Sequence, residues 1–283
     1  MSYTRSNVTT STGDVFSLYV PSGVAEGQSV TVVFYLHGRG GDHLQLNYWP
    51  ERTNMRDALL ADGHLLVVPD MHGDTWGNAV AQADIAAAHK HVTDRYNVRA
   101  TYLIGESMGG NAAANVLTHQ TIPVEATFLA VPSVNLVDVW ERNDATSANL
   151  GVQYGVAEDG SDFLEKTAGW DGLRADPAHY AGRRITVVGA TDDTVVSYLR
   201  TVNPFVDKLV AAPATVEHIT VVGGHNSPDR YPVEVIRGLF TPPPNPESFF
   251  SIYIGGEWVP AQEHIFTSDG WAVAATHVLT PTQ

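Results

Sequence analysis

A serine becomes a nucleophile only when a base can take its proton and a third group holds that base in place. One serine of this chain sits in a setting that suits such chemistry: Gly105-Glu106-Ser107-Met108-Gly109, which fits G-x-S-x-G. It follows the short apolar run Thr101–Gly105 and precedes a segment, from Met108 to about His119, that reads as a helix. A serine on a sharp strand-to-helix turn presents its Oγ above the edge of a sheet, and glycines two residues to either side avoid clashes. Gly110, Ala112, Ala113 and Ala114 extend the small-residue surface, so the helix can pack close. The pentapeptide by itself also fits a glycine-rich turn with a capping serine.

Three further loops carry partners for that serine. Gly189-Ala190-Thr191-Asp192-Asp193 and Gly223-Gly224-His225-Asn226 each follow a strand-like run, and they fall late in the chain in the order Ser, Asp, His. A paired aspartate after a strand is often a helix cap, and a histidine after two glycines is often a surface turn residue. The three loops together, in one order and one context, point to a nucleophile, an orienting acid and a base. His37-Gly38-Arg39-Gly40-Gly41 follows the strand Val30–Leu36. Neither G-x-x-x-x-G-K-[ST] nor a spaced G-x-G-x-x-G is present, so this loop is a poor nucleotide cradle. Its backbone N–H groups, with that of the residue after Ser107, suit a tetrahedral oxyanion instead.

These loops need a scaffold that brings them to one edge. From about Val8 to Phe240 strand-like and helix-like segments alternate. Val15–Val20 and Val30–Leu36 read as neighbouring strands. Leu65–Pro69, Thr101–Gly105, Ala126–Val131, Arg184–Gly189 and Glu217–Val222 read as further strands. Helices are expected over 78–96, 108–119, 195–210 and 233–239. Alternation of this kind means a mostly parallel sheet with helices on both faces, an α/β class. Residues 133–180 break the pattern and read as an insert over the sheet edge, in the place of a lid. Thr241-Pro242-Pro243-Pro244-Asn245-Pro246 is a stiff spacer. Beyond it two short hairpins are expected, one around Gly256-Glu257-Trp258 and one around Gly270-Trp271. The domain boundary is placed at about 245, giving 1–245 and a small β-rich module over 246–283.

Composition narrows the function classes. The 283 residues carry 16 Lys and Arg against 31 Asp and Glu, a formal charge of −15, and no cysteine. Disulfides, thiolate metal sites and cysteine nucleophiles are therefore ruled out. The acidity and the scattered Lys90, Lys166 and Lys208 argue against nucleic acid and anionic membranes as partners. No apolar run approaches the ~18 residues of a membrane span, and Met1 to Ser6 lacks the pattern of a signal peptide. His89 and His91 flank Lys90 on a helix and diverge in direction, so they make no metal site, and no cofactor or metal is expected. Trp76, Trp140 and Trp170 read as packing residues, with Trp140 and Trp170 also placed to line an acyl pocket. Asp70 and Asp74 read as turn formers.

Residues 8–240 resemble serine esterases of the α/β-hydrolase fold. The resemblance rests on the H-G-x-G-G turn, the G-x-S-M-G-G elbow, the G-x-x-D-x-x-V acid loop and the G-G-H loop, all in family order. It implies Ser107 as nucleophile, His225 as general base and then acid, and Asp192 as the residue that orients His225. Asp193 stays the alternative, because the doubled aspartate leaves the register open by one. The implied oxyanion donors are the backbone N–H groups of Met108 and Arg39. A shorter stretch, Ile254-Gly255-Gly256-Glu257-Trp258-Val259-Pro260-Ala261, resembles the Trp-centred β motifs that end minor tail proteins of actinobacterial phages. That resemblance implies a virion tail location, attachment to phage tail proteins through 246–283, and action on host envelope esters such as glycolipids. Tail positions usually impose symmetry, so a homo-oligomer is the matching expectation. The competing expectations are a non-catalytic tail or receptor-binding protein on a hydrolase scaffold, and an ordinary cytoplasmic esterase.

Overall fold

The computed structural model describes residues 2–241, together with the backbone of four short strands at 251–254, 257–260, 264–267 and 270–273. Eight strands form one sheet: β1 (Tyr3–Thr9), β2 (Val15–Pro21), β3 (Ser29–Leu36), β4 (Leu65–Pro69), β5 (Asn97–Glu106), β6 (Ala126–Ala130), β7 (Arg184–Ala190) and β8 (Thr215–Val221). Their order is β1-β2-β4-β3-β5-β6-β7-β8. β1 pairs antiparallel with β2, and β2 antiparallel with β4; the remaining pairs are parallel. The expectation that the strands at 15–20 and 30–36 are neighbours is not met. β4 lies between them, because a strand reached through a helical crossover can insert where a hairpin partner would otherwise sit.

Alternate residues of the central strands feed two separate cores. Val32, Phe34, Leu36, Leu65 and Val67 face one side, while Val33, Tyr35, Leu66 and Val68 face the other. The first side is covered by α2 (Ala79–Thr93), α3 (Met108–His119) and α7 (Asn203–Ala211), through residues such as Ile85, Ala113 and Phe205. The second is covered by α1 (Pro50–Ala61) and α8 (Val233–Leu239), through Met55, Leu59 and Ile236. Both faces of the parallel strands are thus buried, which is why those segments read as continuous apolar runs.

Two elements were not visible in the sequence. β1 is a polar edge strand whose residues are mostly exposed, so it carries no alternation to detect. α1 buries Arg52 and Arg56 beside Met55, Leu59 and Leu60, and charged residues on its inner face mask the apolar period. A third region differs in form. The helix expected over 195–210 is a π-helical turn, Tyr198–Val202, running into α7, with Pro204 in the first turn of the α-helix, where its missing N–H costs nothing.

The segment 133–180 holds three short helices, α4 (Leu136–Trp140), α5 (Ala145–Tyr154) and α6 (Phe163–Lys166). Its core is closed by Trp140 stacked on Phe163 at 4.6 Å between ring centroids. The chain divides into two units, Met1–Phe240 and Thr241–Gln283. In the second, β9 (Ser251–Ile254) pairs antiparallel with β10 (Glu257–Pro260), and β11 (His264–Thr267) with β12 (Gly270–Val273). The expected proline spacer at 242–246 and residues 255–256 lie outside the described residues.

Candidate active site

Ser107 stands at the junction of β5 and α3 with φ +50° and ψ −115°, a conformation L-residues rarely adopt and that surrounding structure must enforce. Ser107 N–H donates to Ala130 O at 3.0 Å, and Ser133 N–H donates to Ser107 O at 2.8 Å. The glycines of the motif are required by close approach. A Cβ on Gly109 would lie 2.0 Å from Leu36 O, and one on Gly105 would lie 2.6 Å from Gly109 O. Both obstacles are backbone and cannot move aside.

The loops after β3, β5, β7 and β8 meet at one edge of the sheet, the carboxyl ends of its parallel strands, where open α/β sheets bind their ligands. His225 Nε2 lies 3.0 Å from Ser107 Oγ. His225 Nδ1 lies 2.7 Å from Asp193 Oδ2, and the Asp193 side chain is 1% exposed. The aspartate paired with His225 is therefore Asp193, not Asp192, the residue expected from spacing. The local backbone explains the one-residue difference. Thr191 and Asp192 still follow β8, their N–H groups donating to Val221 O and Gly223 O, and the Asp192 side chain is left at the surface. The chain turns at Asp193, whose Oδ1 accepts the N–H groups of Val195 and Val196 at 2.7 and 2.8 Å, which holds Oδ2 toward the histidine.

Met108 opens α3, so its N–H has no partner within the helix. The Arg39 N–H donates to no acceptor among the described residues. The loop bearing it approaches the nucleophile closely: a Cβ on Gly38 would stand 3.4 Å from Ser107 Cβ. Asp74 braces this loop by accepting Gly40 N–H at 2.7 Å, and the buried His37 ring lies 2.8 Å from Asp70 O. Asp70 also forms the expected turn, its carbonyl accepting the Gly73 N–H at 2.9 Å, and both aspartates anchor the loop. Two unpaired backbone donors beside the serine are the arrangement that stabilises an oxyanion.

Comparison with known proteins assigns the scaffold. Residues 31–184, more than half of the chain, match the family described as alpha/beta hydrolase fold. The chain belongs to the α/β-hydrolase fold family. No curated protein matches it by sequence. Among solved structures it is similar to FphF, a fluorophosphonate-binding serine hydrolase of Staphylococcus aureus. The TM-score is 0.64 at 13% identity, covering 84% of this chain and 96% of that one. It is also similar to carboxyl esterase 2 of Tuber melanosporum, with TM-score 0.60 at 15% identity over 83% and 86% of the two chains. The S-formylglutathione hydrolase FrmB of S. aureus gives TM-score 0.60 at 11% identity over 84% and 97%. At these identities the likeness is one of fold.

Within this hydrolase fold a cleft of about 240 Å³ opens over Ser107 and His225. Its floor holds a charged cluster that the sequence reading missed. Glu106, next to the nucleophile, is bonded by Arg52 Nη2 at 2.5 Å and by Arg230 Nη2 at 3.0 Å, and it accepts the Tyr35 hydroxyl. Burial alone would push the Glu106 carboxyl up; hydrogen bonds from Arg52 and the charges of Arg230 and Arg52 override that and hold it at about 2. Burial and the Glu106 charge push the Tyr35 hydroxyl well above its ordinary range, so it stays a neutral donor. Arg230 also donates to His225 O and to Asn226 Oδ1, tying the histidine loop to the residue that precedes the serine. Glu106 was readable only as the variable position of a pentapeptide, and no spacing rule links it to residues 54 and 124 positions away.

Trp140 and Trp170 do not line the cleft. Trp140 packs on Phe163 and Trp170 on His119, while Trp76 forms part of the wall. Away from the cleft, Asp14, His72 and Asp84 bring three ligand-type atoms within 4.8 Å. Those atoms already serve one another and their neighbours. His72 Nδ1 is 2.7 Å from Asp84 Oδ2, Thr12 Oγ1 donates to Asp84 Oδ1, and the Met71 and His72 N–H groups donate to Asp14. The cluster joins α2 to the turn between β1 and β2.

Proposed function

We propose that the chain is a serine hydrolase of carboxylic esters working through an acyl-enzyme. The observation that carries this reading is the alignment of Ser107 Oγ, the His225 ring and the Asp193 carboxylate at contacts of 3.0 and 2.7 Å, at the foot of an open cleft. His225 takes the Ser107 proton as Oγ attacks the acyl carbon, and Asp193 holds the imidazole and balances its charge. The oxyanion is received by the N–H groups of Met108 and Arg39. His225 then protonates the departing alcohol, and water repeats the sequence to release the acid. Replacing the nucleophile by alanine should lower kcat about 10⁶-fold, toward the residual rate that the oxyanion donors and binding still supply. The measurement is hydrolysis of short acyl esters together with fluorophosphonate labelling, in the wild type and in Ser107→Ala. Equal turnover or equal labelling in the two proteins overturns the reading.

We further propose that residues 246–283 attach the hydrolase to a phage tail, where it acts on host envelope esters. The support is the Trp-centred resemblance at 254–261 and the separate unit that begins at Thr241. Deleting 246–283 should abolish incorporation into virions while ester hydrolysis stays within about twofold, since the described residues that line the cleft all lie between 38 and 226. Normal incorporation of the truncated protein excludes the attachment role.

A further inference from the structure

The cleft differs in charge from the molecule that carries it. The chain has a formal charge of −15, yet among the described residues three basic side chains, Arg39, Arg52 and Arg142, line the cleft against one acid, Glu106. Glu106 is shared between Arg52 and Arg230, and Arg52 also stands 3.9 Å from Glu51, so the positive charge that faces the cleft is that of Arg39 and Arg142. A cleft lined by one sign of charge with low-dielectric walls focuses its field on whatever enters.

Arg39 and Arg142 are the two guanidiniums of this set held only by ion pairs of 3.8 Å, to Asp74 Oδ2 and Asp138 Oδ2. Neither donates a hydrogen bond to any described residue. Each of these carboxylates also holds a second partner through its other oxygen, Oδ1. Asp74, beside Arg39, takes the Gly40 N–H, and Asp138, beside Arg142, takes Arg200 Nε at 3.1 Å. Their side chains are 42% and 23% exposed, and they come from separate segments, the loop after β3 and the segment between α4 and α5. A guanidinium that makes no short hydrogen bond keeps a planar fork that matches carboxylate or phosphate oxygens.

The rest of the lining is mostly polar. Among the described residues, Trp76 and Val195 are the only large apolar side chains on the wall. Gln45, buried and facing the cleft, keeps its Oε1 without a partner among the described residues. The volume of about 240 Å³ lies below the ~300–1,000 Å³ of sites that enclose drug-sized ligands. Room and lining both suit a short acyl group and a polar remainder.

We propose that this site acts on esters of a short acyl group whose other half carries an anionic group, a carboxylate or a phosphate, received by Arg142 and Arg39. This rests on the hydrolase reading above and names the class of substrate it would take. No step is added to the chemistry. The anion stays on the leaving half and departs with it once His225 has protonated the alcohol oxygen.

The test compares three acetyl esters of matched size: 4-acetoxybenzoate, its neutral methyl ester, and 4-acetoxyphenyl phosphate. The methyl ester has the better leaving group, so a preference for 4-acetoxybenzoate cannot come from intrinsic reactivity. At low ionic strength kcat/KM should favour at least one anionic ester over the methyl ester by about tenfold, expressed in KM, the size expected of a partly exposed charge-assisted contact. Which anion is favoured identifies the source. In Arg142→Gln the anionic-to-neutral ratio should fall most of the way to one. In the wild type, raising salt to about 0.5 M should shrink the ratio as the charges are screened, a reading that needs no variant to fold. Equal or better use of the methyl ester, a ratio insensitive to salt, or an unchanged ratio in Arg142→Gln overturns the proposal. If no ester is turned over and fluorophosphonate does not label Ser107, the hydrolase reading has failed and takes this one with it.

Discussion

At the scale of single residues, the site depends on which way one carboxylate points. Asp192 and Asp193 are chemically identical, yet one lies at the surface and the other is buried against His225. Exchange of Asp193 for asparagine should lower kcat by about 10⁴-fold, because the amide favours the wrong imidazole tautomer and cannot balance the imidazolium charge. Asp192→Asn should remain within about threefold of wild type, as a surface change away from the site does. Steady-state kinetics on one short ester decides between them, and the opposite ranking would restore Asp192. Ser107 itself was legible because its glycines are dictated by backbone contacts of the turn: at Gly109 no side chain fits against Leu36 O.

Among the elements, Glu106 is the point where four of them meet. It ends β5, Arg52 comes from α1, Tyr35 from β3, and Arg230 from the turn before α8 that also holds the histidine loop. A paired charge of this kind is not itself a strong source of stability, but removing one partner leaves the others buried and uncompensated. Glu106→Gln should therefore cost about 3–5 kcal/mol in denaturant unfolding, although it deletes no packing volume. A loss below about 1 kcal/mol would show that the arginines find other partners. Because Arg230 links Glu106 to the His225 carbonyl, the same variant should also lower kcat for neutral esters. The strands beneath the site were readable from apolar runs, since burial on both faces leaves only that pattern. α1 was not, since its buried arginines answer to distant or loop partners, Arg52 to Glu106 and Arg56 to Asn47 and Leu46 O, rather than to a helical period.

For the molecule as a whole, a strongly acidic chain gains from losing negative charge as pH falls, and one buried histidine works against this. His64 is 3% exposed, with Nδ1 2.6 Å from Thr31 Oγ1 and its ring edge-on to Tyr102. Burial pushes its pKa down to about 4 from 6.5. The folded value lies below the unfolded one, so its contribution is complete above pH 6.5 and is lost as pH falls toward 4. Over that window the wild type should lose about 3 kcal/mol that His64→Gln does not lose. Urea unfolding of both proteins at pH 7 and pH 4 measures the difference. Parallel changes in the two proteins would mean that His64 is charged in the folded state or reaches solvent.

The α/β architecture, the strand-to-helix elbow at Ser107 and the histidine loop at 225 could be inferred from sequence because local rules specify them: apolar periods, glycines at tight turns, and loops in a set order after parallel strands. The position of β4 between β2 and β3, the choice of Asp193 over Asp192, and the Glu106 cluster with Arg52 and Arg230 were decided only by the tertiary structure. Each depends on partners far along the chain. Strand order follows from packing of the crossovers, the aspartate's direction from how long the chain follows β8, and the cluster from three segments converging under one turn. Local sequence carries no trace of such convergence, because a buried charge looks like a surface charge until its partners arrive.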